Sequence, residues 1–272
     1  MGIDEKQLEQ WFQDQYSSGF EEERLFFTKA NETEYIITMH YIHKYLGENA
    51  KIIDVGAGAG AYASALSNEG HAVDALELHP TNLARLTEIF KDSDQVKVAK
   101  GNALDLSAFE DDSYDLILEL GPIYHIHNLE DRIKAISEAV RIAKKGAPIF
   151  IAFCLQDAPL IECIFQSENP AEEIKFIGYD REHGIVTENT GSARVLDTIA
   201  NVDEFIARAL TELPITRGPR FSQDGLSQVI KDAVNNMSED SYKEWINYLL
   251  ATAERPDLMG YSNHIVQILF KN

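Results

Sequence analysis

The segment Ile52-Ile53-Asp54-Val55-Gly56-Ala57-Gly58-Ala59-Gly60 passes from an apolar run into alternating glycines, and an amphipathic stretch over residues 61–69 follows without a break. A glycine-rich turn between strand and helix lets backbone approach a ligand closely and leaves helix N–H groups free to donate. The next apolar run, residues 72–78, carries Glu77 near its end. A carboxylate at that strand end can accept both hydrogen bonds of a ribose diol. Gly56, Gly58 and Ala61 also satisfy the G-x-G-x-x-[GA] dinucleotide spacing. The segment alone therefore leaves two cofactor classes open.

Outward from this turn the texture is regular. Short apolar runs at 51–55, 72–78, 96–100, 115–120 and 148–153 predict strands, and amphipathic stretches at 61–69, 81–91 and 129–144 predict helices between them. The last helix has Asn128 as cap, Asp131 in its first turn and Lys144-Lys145-Gly146 as its stop. Strand–helix alternation of this length predicts an α/β fold, a doubly wound and mostly parallel buried sheet.

The flanks read differently. Leu8, Trp11, Phe12 and Tyr16 form one apolar stripe, which predicts a helix. Asn31-Glu32-Thr33-Glu34 resembles a capping box, followed by a helix with Tyr35, Met39, Ile42 and Leu46 on one face. Beyond residue 153 the alternation is irregular. Helical stripes recur at Ile206/Leu210/Leu213, Leu226/Ile230/Val234 and Tyr242/Ile246/Leu249, a hairpin is expected around Glu182-His183-Gly184, and residues 265–270 form a last strand candidate. One domain over 1–272 is expected: a helical cap (1–50), a cofactor-binding core (51–153) and a helical, substrate-side elaboration with the final strand (154–272).

With 272 residues, 44% hydrophobic and 25% charged, the chain has the make-up of an ordinary globular enzyme. Its formal charge of −21 and the lack of a dense basic cluster argue against nucleic acid and anionic membranes as partners. No apolar run reaches membrane-spanning length, and the polar start Met1-Gly2-Ile3-Asp4-Glu5-Lys6 does not read as a secretory signal. Two cysteines, Cys154 and Cys163, without Cys/His clusters at ligand spacing, predict neither a disulfide framework nor a structural zinc. A cytoplasmic protein, monomer or homodimer, is the expectation.

The arrangement D-x-G-x-G-x-G from Asp54 to Gly60 resembles class I S-adenosylmethionine-dependent methyltransferases. The likeness continues in order through Lys100-Gly101-Asn102-Ala103-Leu104-Asp105 and Tyr114-Asp115-Leu116-Ile117-Leu118-Glu119-Leu120-Gly121-Pro122-Ile123-Tyr124-His125-Ile126, whose LGPxYHx form is similar to a subgroup of bacterial small-molecule methyltransferases. Asp131-Arg132 and the run from Glu138 to Gly146 resemble that subgroup's next helix, and a weaker likeness returns over 253–264. The likeness is specific for about residues 50–153. It implies a seven-stranded sheet whose last strand, 265–270, inserts antiparallel beside the fifth.

It also implies S-adenosyl-L-methionine as cofactor and a small molecule as methyl acceptor. Asp54 corresponds to the acid under the methionine end, and Gly56, Gly58 and Gly60 to the loop beneath the cofactor. Glu77 would hold the ribose, and Leu78 and Ala103 would sandwich the adenine. Asn102 stands where the family usually has Asp, with a carbonyl that can still accept from the adenine amino group. Glu119 and Leu120 would face the methionine amino end. Tyr124 would wall the site, and His125 is the candidate base, its ordinary pKa of ~6.5 suiting proton transfer near neutrality. Gly121-Pro122-Ile123-Tyr124 lacks the leading Asp or Asn of enzymes that methylate amide or exocyclic amine nitrogens. His40, His43 and His264 read as surface or packing residues. An NAD-dependent oxidoreductase and a non-catalytic cofactor-binding protein are the alternatives.

Overall fold

The computed structural model describes residues 25–174, 178–180, 182–188 and 195–272. The stripe through Leu8, Trp11, Phe12 and Tyr16 lies outside them. Helix α1, Lys29–Tyr45, starts one turn before the anticipated box: Thr28, in extended backbone, is its cap and accepts the Asn31 N–H through its hydroxyl. Thr28 has the capping chemistry itself, and the Ala30 N–H is tied to Asn235 Oδ1 at 2.9 Å, so the helix begins there and Glu34 is turned inward.

Strands β1 (Lys51–Val55), β2 (Ala72–Glu77), β3 (Val96–Lys100), β4 (Leu116–Glu119) and β5 (Pro148–Leu155) alternate with helices α2 (Ala61–Asn68), α3 (Pro80–Ile89) and α4 (Leu129–Ile142). All five strands run parallel, in the order β3-β2-β1-β4-β5. β10, His264–Lys271, lies antiparallel beside β5, with His264 opposite Cys154 and Phe270 opposite Pro148. This is the mostly parallel, doubly wound architecture that the pattern predicts.

The chain beyond residue 154 is less helical than anticipated. β9 (Ile215–Ser222) closes the seven-strand path on the far side of β10, and the two-residue β8 (Leu196–Asp197) adds an eighth strand beside β5. β9 has no apolar alternation because Gly218-Pro219 interrupts it. Pro is tolerated on an edge strand, and the register shifts at this point. Gly218 is needed there, since a Cβ would stand 2.5 Å from the Phe270 ring. The stripe Leu226/Ile230/Val234 is mostly turns, with a short helix only over Lys231–Asn235. The other stripes form helices α5 (Ile199–Glu212) and α6 (Glu239–Thr252), and β6 (Gly178–Asp180) pairs with β7 (Ile185–Glu188) around the foreseen turn.

Successive strand residues face opposite ways, which divides the core in two. Ile53, Ile117, Ile149, Ile151 and Phe153 meet Ile133, Ile136, Val140, Val202 and Phe205 from α4 and α5. Ile52, Leu116, Leu118, Phe150 and Ala152 meet Ile37, Ile42, Leu66 and Leu249 from α1, α2 and α6. Both faces are covered, which is why the strands read as continuous apolar runs. Each such side chain contributes ~1.5–3 kcal/mol by leaving water. One charged pair crosses the first layer: Arg132 on α4 meets Asp197 of β8 at 2.7 Å, both buried, beneath the Phe205 ring.

Candidate active site

In a parallel sheet the carboxyl strand ends form the ligand edge. β1 delivers Asp54 there and runs straight into the glycine loop. Gly56, Gly58 and Gly60 all have left-handed backbone (φ +76°, +56° and +82°), a conformation costly for any residue with a Cβ. The three are not equivalent. A Cβ on Gly56 would stand 3.0 Å from the Pro122 ring, and one on Gly60 would stand 2.7 Å from Leu86 Cδ1 and 2.8 Å from Phe90 Cε2. A Cβ on Gly58 would meet nothing within 4 Å. The loop is thus wedged into the protein on two sides and open above Gly58. Gly60 is also the cap of α2, so that helix points its N-terminus at the opening.

Glu77, at the end of β2, is buried beneath this opening. Its Oε2 accepts the Gly58 N–H at 2.8 Å and its Oε1 the His79 N–H at 2.7 Å. Two backbone donors therefore fix the carboxylate. Asp54 and Glu119 complete a group of three buried carboxyls on adjacent strand ends. Asp54 Oδ2 and both Glu119 oxygens have no hydrogen-bond partner among the described residues. Burial, with the Glu77 charge adding, pushes the Asp54 carboxyl up to about 7, and burial pushes Glu119 up to about 8.

These two groups have a pH signature. The folded chain keeps their protons after an unfolded chain would have released them. Their contribution to stability is therefore complete below the ordinary carboxyl range, and is lost as pH rises through about 7 to 8. Asp54→Asn and Glu119→Gln should each flatten the fall of the ligand-free unfolding temperature between pH 5 and 8. A slope identical to that of the parent chain would show that neither carboxyl holds its proton.

The remaining predicted residues surround this group. Leu78, just past β2, is 52% exposed, an unusual position for a leucine, whereas Ala103 after β3 is buried. Asn102 is exposed, and its Oδ1 accepts the Leu104 N–H at 3.0 Å, so part of its acceptor capacity shapes its own turn. Leu120 is half-buried after β4. The 3₁₀ turn Pro122–His125 follows and rests on the glycine loop through Pro122. Tyr124 is buried there, its carbonyl accepting the Val195 N–H at 2.6 Å. His125 is half-buried, its ring 4.8 Å from that of Tyr124. His127 is exposed.

His40 and His43 are exposed on α1, His43 pairing with Glu69. His264 departs from a surface or simple packing role. It is buried at the carboxyl edge between Glu34 of α1 and Asp224, with the Tyr124 ring 6.0 Å away. Burial opposes its charge, but Cys154, Glu34 and Asp224 together hold the imidazole well above its ordinary pKa. Spacing could not reveal this group, because its members are far apart in the chain. Cys154 is buried, as a small apolar residue would be. The surface hollow lined by His43, Leu46, Glu69 and His71 precedes β1 and β2 and so lies at the opposite edge of the sheet.

Residues 53–151, from the middle of β1 to the middle of β5, match the methyltransferase domain family. Over these residues the chain carries a methyltransferase domain. The matched span contains the glycine loop, all three buried carboxyls and the turn at Pro122.

Several solved structures resemble the methyltransferase in fold. A chain from the complex between the Haloferax volcanii Trm112 methyltransferase activator and the putative methyltransferase is 15% identical, with a TM-score of 0.59 over 97% of this chain and 96% of that one. The Burkholderia thailandensis 1,6-didemethyltoxoflavin-N1-methyltransferase, with bound 1,6-didemethyltoxoflavin and S-adenosylhomocysteine, is 14% identical, with a TM-score of 0.57 over 98% and 88%. A Methanosarcina mazei S-adenosylmethionine-dependent methyltransferase is 17% identical, with a TM-score of 0.53 over 85% and 96%. No curated protein matches the methyltransferase by sequence. No helix among the described residues is long and apolar enough to cross a membrane.

Proposed function

We propose that the methyltransferase acts on a small-molecule acceptor held at the carboxyl edge of the sheet, over the turn at residues 121–125. The observation that carries this reading is the cradle itself: a loop open above Gly58, a Glu77 carboxylate fixed beneath it, and buried carboxyl oxygens on Asp54 and Glu119 without partners. These residues suit S-adenosylmethionine, whose methionine end carries an ammonium and a sulfonium. Unpaired buried acids are costly alone and favourable beside such a cation.

In this reading Glu77 holds the ribose diol, while Leu78 and Ala103 enclose the adenine beside Asn102. Gly56, Gly58 and Gly60 let the backbone approach. Asp54, Glu119 and the Leu120 backbone receive the methionine end. The cofactor supplies a methyl group already activated on sulfur. The protein's work is then to align the acceptor with the methyl–sulfur bond, a positioning effect worth ~7–11 kcal/mol. Tyr124 walls the acceptor side. His125 takes the proton when the acceptor is a hydroxyl, a contribution of ~10²–10⁴-fold.

Three observations favour a small acceptor. The chain carries a charge of −21, unsuited to a phosphate backbone. Segment 195–197 packs over the turn, where Val195 bonds Tyr124 and β8 joins β5, which narrows the edge. The Burkholderia relative in fold has such a molecule bound. A cytoplasmic location and action as a monomer or homodimer complete the reading.

Thermal unfolding with S-adenosylmethionine, S-adenosylhomocysteine and NADH side by side tests the cofactor half. The adenosyl pair should raise the unfolding temperature, and NADH should leave it unchanged. Release of S-adenosylhomocysteine with a panel of small hydroxyl and amine compounds tests the acceptor half. Turnover with RNA or protein and with none of those compounds would overturn the small-molecule reading.

A further inference from the structure

We propose that Glu34, Asp224 and His264 bind one divalent transition-metal ion of the zinc type, which pins helix α1 to the carboxyl edge of the sheet. The three residues come from separate elements: Glu34 from α1, Asp224 from just beyond β9, and His264 from the start of β10. Each contributes one donor atom, and the three atoms lie within 4.8 Å of one another. All three residues are buried.

The distances distinguish an ion site from a simple ion pair. His264 Nδ1 stands 3.5 Å from Glu34 Oε2 and 3.5 Å from Asp224 Oδ2. An imidazolium bonded directly to a carboxylate closes to about 2.7–2.9 Å. Two ligands of one tetrahedral zinc, each about 2.0–2.2 Å from the ion, stand about 3.4 Å apart. Among the described residues neither His264 Nδ1 nor Asp224 Oδ2 has a hydrogen-bond partner, and their side chains are 8% and 1% exposed.

The other oxygen of Asp224 is fully used. Oδ1 receives the Asn263 N–H at 2.8 Å and the Ser262 hydroxyl. Those bonds leave Oδ2 directed at His264. Such outer contacts orient a ligand toward its metal.

Charge and donor chemistry agree. A divalent ion beside two buried carboxylates neutralises both. One imidazole nitrogen with two carboxylate oxygens suits zinc, whereas magnesium and calcium prefer all-oxygen sites. The consequence is a tie between α1 and the two strands that end the sheet.

The test uses the full chain, stripped with a chelator and titrated with Zn²⁺ by calorimetry. One ion per chain is expected to bind, with a rise in unfolding temperature. Co²⁺ should produce the visible absorption of a tetrahedral site, weakened in Asp224→Asn. Asp224→Asn and Glu34→Gln, near-isosteric, should weaken Zn²⁺ binding at least tenfold. No stoichiometric uptake of either ion, or affinity unchanged in both variants, would overturn the site and leave an imidazolium held between carboxylates. Should the variants fail to fold, the Co²⁺ spectrum of the parent chain decides alone: absence of a tetrahedral signature overturns the proposal. None of these readouts depends on methyl transfer, so the result stands apart from the acceptor reading.

Discussion

Glu77→Ala is expected to weaken binding of S-adenosylhomocysteine by about 2–3 kcal/mol, roughly 30- to 150-fold in affinity, as loss of hydrogen bonds to a charged group does. The carboxylate has two tasks, because its oxygens also hold the Gly58 and His79 N–H groups. Its removal therefore both deprives the ribose of its acceptor and loosens the loop. An adenosyl ligand without the 2′ and 3′ hydroxyls separates the two effects. If the diol contact dominates, that ligand binds parent and variant alike. If loosening of the loop dominates, it is weakened equally, and the ribose role is wrong. Calorimetry of both ligands against both chains gives the answer.

Gly60→Ala is expected to cost about 2–5 kcal/mol of stability. The left-handed backbone contributes ~1–2 kcal/mol and the forced displacement of packed side chains ~1–3 kcal/mol. The added methyl would stand 2.7 Å from Leu86 Cδ1 and 2.8 Å from Phe90 Cε2, inside the core beside α2 and α3. Gly58→Ala is the informative partner. Its methyl meets no protein atom within 4 Å, so only the backbone cost applies, while the methyl occupies the cradle. Urea unfolding should thus separate the two variants in one direction, and cofactor affinity relative to stability in the other. Equal unfolding midpoints for Gly60→Ala and the parent chain would remove the packing argument.

The legible part of the fold coincides with simple periodicity. β1 and β3 occupy the expected residues, β2 and β5 differ by one or two positions at one end and β4 by one at each end, because apolar runs between glycines and caps leave few alternatives. The glycine loop was legible because the turn that it makes needs those residues in that order. β9 was hidden, since a strand with Gly218-Pro219 and two arginines has the texture of a loop, and only its pairing with β10 makes it a strand. The start of α1 was misplaced by one turn because Thr28 and Asn31 have the same capping chemistry, and the tie of Ala30 to Asn235 is invisible locally. The same holds for Glu34, Asp224 and His264: a cluster assembled by topology from distant positions has no spacing to read. His125 and Tyr124, by contrast, follow a Gly-Pro turn, and their placement beside the loop follows from it.

The position of β10 between β5 and β9 bears on how the protein comes into being. Synthesis makes β5 and β9 first, yet each presents the other with no matching neighbour. Until residues 264–271 leave the ribosome, both keep an unpaired backbone edge, including the apolar residues Phe150, Ala152 and Phe221. Open edges of that kind recruit other chains. Closure then joins segments more than 100 residues apart in sequence, a slow step for any nascent chain. Ribosome-held fragments ending before residue 264 should therefore aggregate or engage chaperones, and release of the final strand should relieve both at once.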